Sequence, residues 1–145
     1  MKYLVDASAL TRILRDQVDP GWRDLVTRGL VSIAEPALVE SLKTVEADKY
    51  AQVEDDIQEA YLPVFVPDHL WEDVEQIRRV LADHSAHHGP SVADLVIAAW
   101  AIRLELTVLH EDRDFETVAR FVPQLKQRWL RDGPPKQRAM SVVDG

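Results

Sequence analysis

Five short apolar runs, each followed or preceded by a helical stretch, set the pattern of this chain. They are residues 2–6, 31–34, 62–67, 107–109 and 127–130. None is long, and the segments between them carry helical periodicity. Leu10, Ile13 and Leu14 share one stripe over 8–15, and Leu70, Val74, Ile77 and Leu81 share one over 68–84. Asp19-Pro20 starts a helix that runs through Thr27 and stops at Gly29, and Pro36 opens another through Leu38, Leu42 and Val45. Residues 48–62 continue helically, and a further helix is expected over 115–121. The stretch 92–104 is apolar on nearly every side, which predicts a central, buried helix with Trp100 in the core. Strands alternating with helices imply an α/β fold whose short, mainly parallel sheet is covered on both faces.

A chain of 145 residues fits one domain and can enclose a sizeable core. We place that domain at residues 1–132 and expect a loosely ordered C-terminal tail over 133–145. Cysteine is absent, so neither disulfides nor thiolate metal sites exist. Asp6 arrives too early for a signal-peptide apolar region, and the longest apolar run, 95–102, is too short for a membrane helix. The expectation is a soluble, cytoplasmic protein. A net charge of −8 argues against broad, charge-driven nucleic-acid binding. It leaves room for a local basic strip beside an acidic site.

The acids at the element ends carry the chemistry. In α/β sheets, ligands bind beyond the carboxyl ends of the strands. Asp6 ends the first strand, Glu40 lies one turn into the helix after the second, Asp94 opens the buried helix, and Asp112 and Asp114 follow the fourth strand. Each has a plain alternative. Asp6 suits a helix N-cap, Glu40 a solvated surface acid, and Ser91/Asp94 a capping box. Asp114 suits a cap of the helix from Phe115. Taken together they say more: carboxylates 4–5 Å apart repel by about 3–4 kcal/mol per pair at an effective dielectric near 20. A cation or protonation must offset that. All-oxygen donors suit Mg²⁺ or Mn²⁺. A zinc site at His84, His87 and His88 would need a fourth ligand and tetrahedral geometry, and a loop after a helix C-terminus favours histidine without any metal.

Three stretches, LVDASAL, AEPALVESL and SVADLVIAAWAIRLELTVLHEDRDFETVA, resemble the PIN domain, and within it the VapC-type toxins of type II toxin–antitoxin pairs. The likeness spans about residues 1–130. It implies a three-layer α/β/α sandwich and Mg²⁺- or Mn²⁺-dependent cleavage of RNA. It also implies a homodimer and inhibition by a small VapB-like antitoxin. Asp6, Glu40, Asp94 and Asp112 match the family's acidic quartet, Asp114 a further acid near metal, and Ser8 a hydroxyl position that orients the first Asp. Ala7 departs from the threonine of many relatives. Arg113 and Arg12 are the expected RNA-backbone contacts; Trp22, Trp71 and Trp129 are expected to be packing or interface residues, with base stacking the alternative for an exposed one.

Three rivals compete with this reading. A haloacid-dehalogenase-type phosphatase needs a second Asp where Ser8 stands. A phospho-accepting receiver needs an acidic pair after the first strand. A catalytically idle PIN domain acting as a binding module would retain the fold without the chemistry.

Overall fold

A computed structural model describes residues 2–136. Five strands form one sheet: β1 (Tyr3–Val5), β2 (Val31–Ile33), β3 (Leu62–Pro63), β4 (Thr107–His110) and β5 (Lys126–Trp129). Their order is β3-β2-β1-β4-β5 and every pairing is parallel. All residues of β1 and β2 are buried. Successive strand residues point to opposite faces, so helices cover both sides of the sheet.

Seven α-helices connect the strands among the described residues: α1 (Ala7–Leu14), α2 (Pro20–Thr27), α3 (Glu35–Leu42), α4 (Tyr50–Ala60), α5 (Leu70–Asp83), α6 (Val92–Leu104) and α7 (Arg113–Phe121). The Asp19-Pro20 start is a true cap, since Asp19 Oδ1 accepts the Gly21 N–H at 2.7 Å. Gly29, at φ +74°, makes the left-handed turn into β2 that a glycine allows without steric cost. Helix α6 has the expected bounds, and its Ala98 to Ala101 run, Trp100 included, is buried.

Four elements differ most from the sequence expectation. α3 stops at Leu42 rather than reaching Val45, where Thr44-Val45 offers two β-branched, weak helix formers. β3 keeps only two residues, because Pro63 has no N–H for a longer ladder. α7 starts at Arg113, two residues early, because Asp112 and not Asp114 is its N-cap. β5 is displaced by one residue, and Leu130 instead opens a 3₁₀ turn, Leu130–Asp132.

That turn is tied back to the body. Buried Trp22 donates its indole N–H to the Leu130 carbonyl at 2.8 Å and meets Tyr3 edge-on at 5.3 Å. The expected tail over 133–145 falls mostly outside the described residues. Its first residue, Gly133, is buried and accepts the Arg128 Nε–H at 2.7 Å. No helix among the described residues is long and apolar enough to cross a membrane.

Candidate metal centre

The sheet reverses its winding between β1 and β4, and loops after these two strands diverge there to leave a crevice. A cleft of about 350 Å³ opens at that place, lined among others by Asp6, Ser8, Glu40, Asp94, Asp112 and Asp114. One carboxylate oxygen from each of Asp6, Asp94 and Asp112 lies within 4.8 Å of the other two. Asp6 is 5% exposed and Asp94 8%.

Each of the three acids is held by a helix start. Asp6 is the N-cap of α1, and its Oδ1 accepts the Ala9 N–H at 3.0 Å. Asp94 closes a capping box on α6: it accepts the Ser91 N–H at 3.0 Å while its own N–H donates to Ser91 Oγ at 3.1 Å. Asp112 caps α7, accepting the Asp114 N–H at 2.9 Å. Cap and candidate ligand are therefore the same residues. One oxygen serves the helix, and Asp94 Oδ1 and Asp112 Oδ2 have no protein donor among the described residues. Three positive helix ends face this cleft and partly offset the crowded negative charge.

Ser8 links two loops. Its hydroxyl sits 2.7 and 2.9 Å from the two Asp6 oxygens, to which it donates, and it accepts the Glu111 N–H at 2.9 Å. Glu111 was passed over in the sequence, where it reads as one more acid in HEDRDFE. Its side chain is 2% exposed and accepts three bonds from Arg131, one from the backbone N–H and two from the guanidinium. The C-terminal turn is thereby fastened to the loop that carries Asp112.

Burial pushes the Asp6 carboxyl up to about 7. The Ala9 and Ser8 hydrogen bonds oppose that rise, and the charges of Asp94 and Asp112 add to it. Asp94 is raised chiefly by burial, against its bond from Ser91 and with the help of Asp112 and Glu40. Asp114 is raised by desolvation first and then by Asp112 and Asp94, with Arg113 opposing. Such mutual elevation means that the pocket favours either protons or a cation. Carboxylate-only donors in a cysteine-free pocket fit a hard divalent ion.

Other expected site residues are placed differently. Glu40 is exposed at the cleft, 3.7 Å from Lys43 Nζ, and stands outside the close trio. Asp114 lines the cleft but is also outside it. The structure does not bring Arg12 or Arg113 into the cleft lining. Arg12 lines an adjoining depression with Glu111 and Arg131, and Arg113 is exposed at the first turn of α7. His84 stacks on Phe121 at 4.4 Å, and His87 and His88 lie against each other at 3.9 Å. Among the tryptophans Trp71 is 65% exposed, but it sits on α5, away from the cleft residues.

The model of the PIN domain family matches residues 3–121. The chain belongs to that family, in its VapC branch. It is 34% identical over 138 residues to the ribonuclease VapC2 of Mycobacterium tuberculosis, covering 92% of this chain and 96% of the relative. To the ribonuclease VapC21 of the same organism it is 28% identical, covering 85% and 90%. Among solved structures, VapBC-1 from nontypeable Haemophilus influenzae matches with a TM-score of 0.72 at 12% identity, covering 90% of this chain and 98% of the other. DNA-bound VapBC from Salmonella typhimurium matches at 0.70 and 17%, covering 90% and 98%. At such identities these two likenesses speak for the fold.

Proposed function

We propose that this protein is an endoribonuclease toxin that hydrolyses RNA phosphodiester bonds with Mg²⁺ or Mn²⁺ and is inhibited by a VapB-like antitoxin. The observation that carries this reading is the convergence of Asp6, Asp94 and Asp112 from three separate helix starts. Crowded, buried carboxylates at a strand-end crevice are costly unless they have a use. Ribonuclease activity in the VapC relatives supports the substrate class, and the VapBC complexes support the partner. The chain acts in the cytoplasm as a homodimer, with residues 1–132 as one domain.

Asp6, Asp94 and Asp112 would hold the ion, with Asp114 alongside. The ion would supply Lewis acidity toward water and the scissile phosphate. The chain's own groups do the rest. Ser8 fixes both Asp6 oxygens and so the direction in which that carboxylate faces. Glu40, in the cleft lining, orients the attacking water or helps to hold a second ion. Arg113 and Arg12 bind the RNA backbone, which lets a protein of net charge −8 approach a polyanion.

The test is RNA cleavage by purified, antitoxin-free protein in EDTA, in Mg²⁺ and in Mn²⁺, beside a folded Asp6→Asn variant. Cleavage is expected with either metal, none in EDTA, and at least a hundredfold less in the variant, a magnitude typical of losing a group that acts in the transition state. EDTA-resistant cleavage, or full activity in Asp6→Asn, would overturn the reading.

A further inference from the structure

Beneath the Asp112 loop lies a polar side chain that the reaction as described does not use. His110, the last residue of β4, is fully buried. Both of its ring nitrogens are engaged. The backbone N–H of Asp112 approaches Nδ1 at 3.1 Å, and Nε2 faces Gln127 Oε1 on β5 at 2.7 Å. A backbone N–H can only donate, so Nδ1 is the bare, accepting nitrogen. Nε2 therefore carries the proton and donates to the Gln127 carbonyl oxygen. Phe115 at 5.2 Å and Trp129 at 4.9 Å flank the ring.

The reason for a histidine here appears when the three helix starts are compared. An N-cap residue needs a partner for its own N–H, because the helix supplies none. Asp6 N–H donates to the Leu109 carbonyl at 3.0 Å. Ser91 N–H donates to Asp94, three residues on, as a capping box allows. At α7 the residue three on from Asp112 is Phe115, which has no acceptor. His110 Nδ1 fills that place from below.

We propose that His110 is a positioning residue for Asp112, and that Gln127 acts through it by fixing the imidazole as the Nε2–H tautomer. The pair holds the Asp112 backbone so that its carboxylate meets those of Asp6 and Asp94. A partner that orients a metal ligand is expected to alter metal affinity by about ten- to a hundredfold when removed. This inference rests on the metal-site reading above.

The experiment titrates Mn²⁺ alone into the wild-type protein and into His110→Leu, His110→Asn and Gln127→Met, with circular dichroism as the folding check. Long-range ¹H–¹⁵N NMR of the wild type reads the His110 tautomer directly. The Asn amide oxygen can take the place of Nδ1, so His110→Asn is expected within about threefold of wild type, whereas His110→Leu and Gln127→Met weaken Mn²⁺ binding about tenfold or more. NMR is expected to show a neutral ring protonated at Nε2. Wild-type affinity in folded His110→Leu, or a ring protonated at Nδ1, would overturn the proposal. If His110→Leu fails to fold, Gln127→Met decides: unchanged affinity there overturns it. A wild type that binds no Mn²⁺ would instead bring down the metal site itself, a result distinct from variants that bind as well as wild type.

Discussion

Asp6 shows how one side chain can be both a structural cap and a chemical liability. Its carboxyl is pushed up to about 7, first by burial, from the usual 3.8. The folded protein therefore binds this proton more tightly than the unfolded chain does. Between about pH 4 and pH 7 the native state holds more protons, so stability falls as pH rises and the contribution is lost above pH 7. For metal-free protein we expect the melting temperature to drop between pH 5 and pH 8, by an amount equivalent to a few kcal/mol at most, since ~3 pKa units correspond to ~4 kcal/mol. Asp6→Asn should flatten that dependence and raise the metal-free melting temperature at pH 8. Added Mn²⁺ should then stabilise wild type at pH 8 but not the variant. Calorimetric scans across this pH range, with EDTA and with Mn²⁺, check each statement. An equal pH slope in both proteins would remove Asp6 as the source.

At the scale of elements, each candidate ligand is delivered by the start of a helix. That couples local helix stability to the site. Ser91 is the sharpest case, because its hydroxyl and backbone both bond Asp94. Ser91→Ala should cost about 1 kcal/mol, as N-cap losses do. It should also weaken Mn²⁺ binding severalfold, because Asp94 loses one of the two bonds that aim it. Denaturant unfolding measures the first and titration calorimetry the second. The control is Asp19→Ala, which removes the cap of α2 from a position outside the cleft lining. It should lower stability similarly and leave Mn²⁺ affinity unchanged. If both variants lower affinity alike, general softening rather than aiming is the cause.

For the whole molecule the central tension is between an acidic chain and a polyanionic substrate. Net charge is −8, yet Arg12, in the depression shared with Glu111 and Arg131, and Arg113, next to Asp112 at the first turn of α7, form no ion pair with an acid among the described residues. If both touch phosphates, binding of single-stranded RNA should weaken steeply with salt. Arg12→Ala and Arg113→Ala should each reduce the slope of log K against log[salt] by about 0.7. Fluorescence anisotropy at several salt concentrations, using Asp112→Asn, expected to be catalytically silent, as the background, reads that slope. An unchanged slope for either arginine takes it off the RNA path.

The sequence by itself determined the elements and the chemistry on offer. Hydrophobic period, Pro and Gly punctuation and capping residues act over a few positions, so α6, the Asp19-Pro20 start and the parallel α/β class were legible from the residues alone. The order of acids, each beside a strand end or helix start, was legible for the same reason. Only the tertiary structure decided which acids meet. Asp6 and Asp112 are brought together by β1 pairing with β4, a contact between distant parts of the chain that no local rule encodes. The fold also leaves Glu40 and Asp114 outside the close trio and both arginines outside the cleft lining. Cap and candidate ligand do not exclude each other at Asp94 and Asp112: a carboxylate has two oxygens, and the fold turns one toward the helix and leaves the other without a protein donor among the described residues.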